Sequence, residues 1–105
     1  MIADIETEAD TIKININEPK LDGQNSLFEL LLEKKIVTKK IEKIIINFDK
    51  VSYINSLGIA EFISLMRYFS EKSPKLKYKY INVDKKIAKI FKMIELSSIA
   101  DIESR

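Results

Sequence analysis

The stretch IIINFDKVSYINSLGIAEFI, residues 44–63, decides the fold. Ile44, Ile45 and Ile46 form a continuous β-branched run, the pattern of a central strand covered on both sides. From about Ser56 the period changes. Ile59, Phe62, Ile63, Met66 and Phe69 recur at spacings of three and four, so they share one face of a helix. Ser73-Pro74 then stops it. A strand of Lys43–Phe48 followed by a helix of about Ser56–Phe69 is therefore the centre of the chain.

The same arithmetic works outward. Leu76, Tyr78 and Tyr80 alternate with Lys75, Lys77 and Lys79, which predicts a strand over Lys75–Val83 with one face buried. It should lie parallel to the first through a right-handed crossover. Asp84 is a good N-cap for a second helix striped with Ile87, Ile90, Phe91 and Ile94. Ser98–Ile102 reads as a last short strand. Upstream, Ile12, Ile14 and Ile16 alternate with Lys13 and Asn15, giving a strand over Thr11–Asn17. Residues 2–9 read as a short first strand and Pro19–Asn25 as a loop. Ser26, with Glu29 three residues on, forms a capping box for a helix of Leu27 to about Glu33. The class is α/β: a small mixed sheet with helices packed on it, in a single domain of residues 1–105.

Composition narrows the function. The 105 residues are 46% hydrophobic and 32% charged, the mixture of a soluble globular protein. No Cys and no His occur, which removes thiolate chemistry, a cysteine-based metal site and the commonest general base. No glycine-rich phosphate loop is present, and the carboxylates and lysines are scattered. The expectation is a protein that is not an enzyme and needs no metal or cofactor. A net charge of +2 is small for a nucleic-acid binder. Tyr78 and Tyr80 face the core, so they cannot stack on bases. No apolar run approaches the ~20 residues of a membrane span, and Met1–Glu6 does not read as a secretory signal. A cytoplasmic protein without membrane or nucleic-acid partners is expected.

Ser56 carries the chemical question. It stands where a strand gives way to a helix, and a helix N-terminus offers unpaired N–H groups and the positive end of the dipole. A phosphate there is tolerated by the domain and brings nearly two negative charges to an exposed patch. Any partner docking with acidic or apolar groups would be expelled. From spacing alone, the plainer reading of Ser56 as a helix cap is the better one. Asp49 likewise reads as a turn former before it reads as a site residue.

The residues IIINFDKVSYINSLGIAEF (44–62) resemble the signature of the STAS domain, the family of bacterial anti-sigma factor antagonists. That signature is an apolar strand ending in aspartate, a short loop, then Asp-Ser-[Ser/Thr]-Gly opening a helix. KYINVDKKIAKIFKMIELSSIADI (79–102) is similar to the family's closing strand, capped helix and final turn. The resemblance implies that Ser56 is the phosphorylation site of an anti-sigma factor that is also a serine kinase. It also implies that a cognate phosphatase restores the unphosphorylated, kinase-binding form, a partner switch that regulates transcription. Asn55, Leu57 and Gly58 are the motif neighbours. Asn55 departs from the family aspartate, keeping its size but not its charge; Leu57 replaces a second hydroxyl residue, and Ala60 a common Gly. The expected protein-protein interaction surface is Tyr53, Leu57, Ala60, Glu61 and Ser64. The alternative is a STAS scaffold or subunit of a larger assembly, for example in lipid transport, without phosphorylation. A small enzyme or ligand-binding domain is a third reading.

Overall fold

Alternating isoleucines dictate the layers. The structure, a computed structural model, describes residues 3–23, 29, 41–94 and 100–105. Its main sheet has the order β1 (Ala3–Glu8), β2 (Thr11–Ile16), β4 (Lys43–Asn47), β6 (Lys77–Val83) and β7 (Ala100–Ser104). The β1–β2 pair is antiparallel and every other neighbour is parallel. The sheet is mixed, as expected. A second, two-stranded sheet pairs β3 (Lys20–Leu21) with β5 (Tyr53–Ile54) in parallel. Two helices are described, α1 (Ser56–Lys72) and α2 (Lys85–Met93). The helix expected over Leu27–Glu33 lies outside the described residues apart from Glu29.

Register puts the alternating residues of each strand on one buried face. Ile12, Ile14, Ile16, Ile44, Ile46, Tyr78 and Tyr80 line it, and Phe62, Leu65, Met66, Phe69, Ile87 and Phe91 cover it from the helices. At its centre Phe48, Phe62, Tyr80 and Phe91 form a ring cluster, the Phe48 centroid lying 5.4 Å from those of Phe62 and Tyr80. Each such pair adds about 0.5–1.5 kcal/mol beyond area burial. These rings come from the end of β4, the middle of β6 and both helices, so they fix where α1 and α2 sit on the sheet. The Tyr80 hydroxyl is satisfied inside the cluster by donating to Met66 Sδ at 2.7 Å. Burial, and secondarily the nearby Tyr78, pushes the Tyr80 phenol well above the ordinary tyrosine range.

Four expectations need correction. Among the described residues the β4 run is covered on one face: Ile44 and Ile46 are buried, while Ile45 is half-buried between its register partners Lys13 and Lys79. Long lysine stems flanking an isoleucine shield part of its apolar surface. Ile63 is not a core residue but 37% exposed, and Leu65 takes the inward place. The β6 strand starts at Lys77 rather than Lys75, because Ser73–Leu76 forms a turn closed by the Leu76 N–H donating to Ser73 O. The last strand is displaced, running over Ala100–Ser104. Asp84 does cap α2, accepting from the Lys86 N–H at 2.9 Å.

Candidate functional site

The chain leaves β4 through a tight turn and returns to the sheet only as α1. Between them, the Pro19–Gly23 segment acts as a strap. Ser52 and Tyr53 N–H groups donate to Pro19 O, and the Asn55 N–H donates to Leu21 O at 3.2 Å. These bonds hold Asn55 in an extended conformation (φ −116°, ψ −175°) at the mouth of α1. Its Oδ1 then accepts from both the Leu57 and Gly58 N–H groups at 3.1 Å, and its Nδ2 donates to Asp22 O at 3.5 Å.

Asn55, not Ser56, is therefore the N-cap, which corrects the sequence reading. Ser56 is the first helical residue and is exposed. Two adjacent residues of good capping type made the choice ambiguous in sequence; the extended backbone at Asn55 settles it. The Ser56 side chain is released from capping duty. No acidic residue occupies the first turn, so no carboxylate there competes with an added phosphate for the helix dipole. The Leu57 and Gly58 N–H groups already serve Asn55, so an anion placed there would gain more from the dipole than from new backbone bonds.

Gly58 explains why the motif needs glycine. A Cβ built on it would lie 2.1 Å from Leu21 O, a backbone atom. The strap crosses the helix so closely that no side chain fits. Gly23 (φ +86°) turns the strap beyond this crossing, and a Cβ there would lie 2.8 Å from Leu57 Cβ. Pro19, Lys20, Leu21, Asp22 and Gly23 are thus neighbours of the Ser56 site that sequence reasoning missed. The one available hint was that both glycines of the chain serve this place.

Four of the five residues expected at a partner surface are exposed. Tyr53 is 49% and Leu57 63% exposed. Ala60 and Ser64 are exposed along the same side of α1, and Glu61 is half-buried. Ile63 extends the apolar part of this side. Asp49 is exposed and belongs to the turn after β4, where its N–H donates to Asn47 Oδ1 at 3.1 Å. The turn-forming role is the one the structure gives it. The remaining displaced titrations lie elsewhere: burial raises the Tyr78 phenol despite its bond with Ser70, and the hydrogen bond and charge of Glu103 raise Lys79 on the open sheet face. A cavity of about 840 Å³, lined by Ile41, Lys43, Lys72, Lys75 and others, opens at the far end of α1 and is no part of this site. Among the described residues no three His, Cys, Asp or Glu side chains cluster as metal ligands, and no helix is long and apolar enough to cross a membrane.

The strand–turn–helix arrangement around Ser56 agrees with a family match. A model of the STAS domain matches residues 3–104. The chain belongs to the STAS domain family. No curated protein sequence matches this STAS domain, but solved structures do. The anti-sigma factor antagonist SpoIIAA of Bacillus, in its phosphorylated form, is similar with a TM-score of 0.67 and 19% identity over 95% of this chain and 89% of that one. SpoIIAA in its unphosphorylated form gives 0.64 and 16% over 98% and 87%. A Thermotoga maritima protein proposed as an anti-sigma factor antagonist gives 0.73 and 16% over 98% and 86%. The murine Solute Carrier 26 family member A9 anion transporter gives 0.72 and 12%; 90% of the STAS domain is covered, but it spans only 16% of that transporter. At such identities the likeness establishes a shared fold.

Proposed function

We propose that this STAS domain is an anti-sigma factor antagonist, a binding module that engages an anti-sigma kinase while Ser56 is unphosphorylated and releases it when Ser56 carries phosphate. It performs no catalysis; the partner kinase consumes ATP and a phosphatase resets the switch. The regulated output is transcription, in the cytoplasm. The observation that carries this reading is the placement of Ser56: exposed, first in α1, relieved of capping by Asn55, and beside the exposed Tyr53 and Leu57. A dianion there changes the docking surface from apolar to charged without touching the core. Similarity to an antagonist known in phosphorylated and unphosphorylated forms supports the same reading.

The test is intact mass after incubation with ATP and the anti-sigma kinases of the source organism. One added phosphate, absent in Ser56→Ala, is expected. Ser56→Asp should bind the kinase more weakly with the fold intact, and Asn55→Asp should be phosphorylated faster if the family carboxylate helps place the serine. A second reading has its own support. Asn55 and Leu57 depart from the family motif, and the same fold forms a small part of a much larger transporter chain. If no kinase adds phosphate while partner binding persists, the domain is a constitutive scaffold or subunit.

A further inference from the structure

Arg105 gathers more backbone than any other described side chain. Its own N–H donates to Val83 O at 2.9 Å, which fixes it beside the end of β6. There β6 and β7 slip register between Tyr80 and Val83, and Asn82 adopts a left-handed conformation (φ 56°). That slip turns Asn82 O toward Arg105 Nε, 2.9 Å away. The Nη2 group then reaches across to the turn after β4, meeting Phe48 O at 2.7 Å, Asp49 O at 2.5 Å and Val51 O at 2.9 Å. Asp84, the cap of α2, has its carboxylate 4.0 Å from Nη1.

The chain reached by this guanidinium is the one that runs directly into β5, Asn55 and Ser56. Phe48 is bonded to β6 by its N–H donating to Ile81 O, and from Ser52 onward the segment is bonded to the Pro19–Gly23 strap. Between those two anchorages, the carbonyls of Asp49 and Val51 are held to the sheet through Arg105; the other tethers are the buried Val51 side chain, the Val51 N–H donating to Phe48 O and the Asp49 N–H donating to Asn47 Oδ1. A planar fork of donors suits several convergent carbonyls where a lysine point charge does not. We propose that Arg105 is a positioning residue for the Ser56 site: by clamping the Phe48–Val51 turn it fixes the approach of the chain to β5 and thereby the mouth of α1. Its consequence for partner binding rests on the function proposed above; its effect on the geometry does not.

The two glycines make the test direct, because Gly58 sits in the first turn of α1 and Gly23 packs against Leu57. In the amide spectrum of the 15N-labelled chain, Arg105→Gln should shift or double the Gly58, Asn55 and Leu57 signals along with those of the 48–51 turn. Arg105→Lys should move the same signals, by less, and serves alone if the glutamine variant does not fold. Glu103→Gln removes the Lys79–Glu103 bridge from the same strand and should leave Gly58 in place. Unphosphorylated Arg105→Gln should bind the anti-sigma kinase about tenfold more weakly, a change of about 1.4 kcal/mol. Movement confined to residues 48–51, with Gly58 unmoved, overturns the proposal. A shifted Gly58 with wild-type kinase affinity upholds the clamp and overturns its consequence for partner binding. Wild-type protein that binds no anti-sigma kinase would instead sink the proposed function, while the spectra still decide the clamp.

Discussion

The two described helices begin in the same way and for different ends. Each follows a strand and takes its N-cap from an Asx residue, Asn55 for α1 and Asp84 for α2. The first helical residue is Ser56 in one and Lys85 in the other. At the third position α1 has Gly58, squeezed under the strap, whereas α2 has Ile87 buried in the core. In α2 the cap is a carboxylate that also faces Arg105, and the start of the helix serves folding. In α1 the cap is neutral, holds two helix N–H groups, and reaches sideways to the strap through its amide. What differs is where the third-position residue goes. At α2 it enters the core; at α1 a backbone crosses there and takes the place of a side chain, while the first helical residue is exposed in both.

That contrast can be attacked most strongly at Gly58. Gly58→Ala gains about 1 kcal/mol of helix propensity, but the added methyl meets a carbonyl that cannot rotate away. Overpacking of this kind costs about 1–3 kcal/mol, occasionally more. A net fall in Tm of roughly 5–10 °C is expected by thermal denaturation, together with loss of the β3–β5 amide bonds in hydrogen exchange. Unchanged stability would mean that the strap yields easily and does not shape the helix mouth.

The caps come next. Asn55→Ala and Asp84→Ala should each lower stability by about 1 kcal/mol, with Asn55→Ala the worse because it loses two accepted bonds and the link to Asp22 O. Equal losses in urea unfolding would show that the sideways bond contributes nothing. The smallest effect belongs to Ser56→Ala, which removes no cap and should stay within about 0.5 kcal/mol of wild type. A loss near 1 kcal/mol would return the capping role to Ser56. Lys85→Asp, the corresponding change at α2, should leave kinase affinity unaltered where Ser56→Asp lowers it.

Much of this was readable in advance. Two of the main strands and both helices announce themselves by period, and β4 by its β-branched run, since alternation over Ile12–Ile16 or Leu76–Tyr80 and the stripe Phe62–Phe69 are local signals. Ile63 was misplaced because a three–four stripe fits more than one rotation of a helix, and only the Phe48–Phe62–Phe91 contacts choose between them. The paired strands β3 and β5 were invisible: two residues have no period, and Lys20 finds Tyr53 only through the tertiary fold. The family motif drew attention to Ser56, yet it did not say which neighbour caps the helix. Arg105 had no local signature at all, because its meaning lies in carbonyls distant in sequence.

The buried phenol of Tyr80 makes the core its own indicator. In the unfolded chain tyrosine ionises near about pH 10, whereas in the native state desolvation keeps Tyr80 protonated beyond that point. Above this pH the unfolded state therefore binds fewer protons than the native state, and stability declines as alkalinity rises. The domain lacks tryptophan, so tyrosinate absorbance reads the event without interference from a second chromophore. A share of that absorbance should appear as a cooperative step, coincident with loss of helical circular dichroism, instead of as a smooth titration.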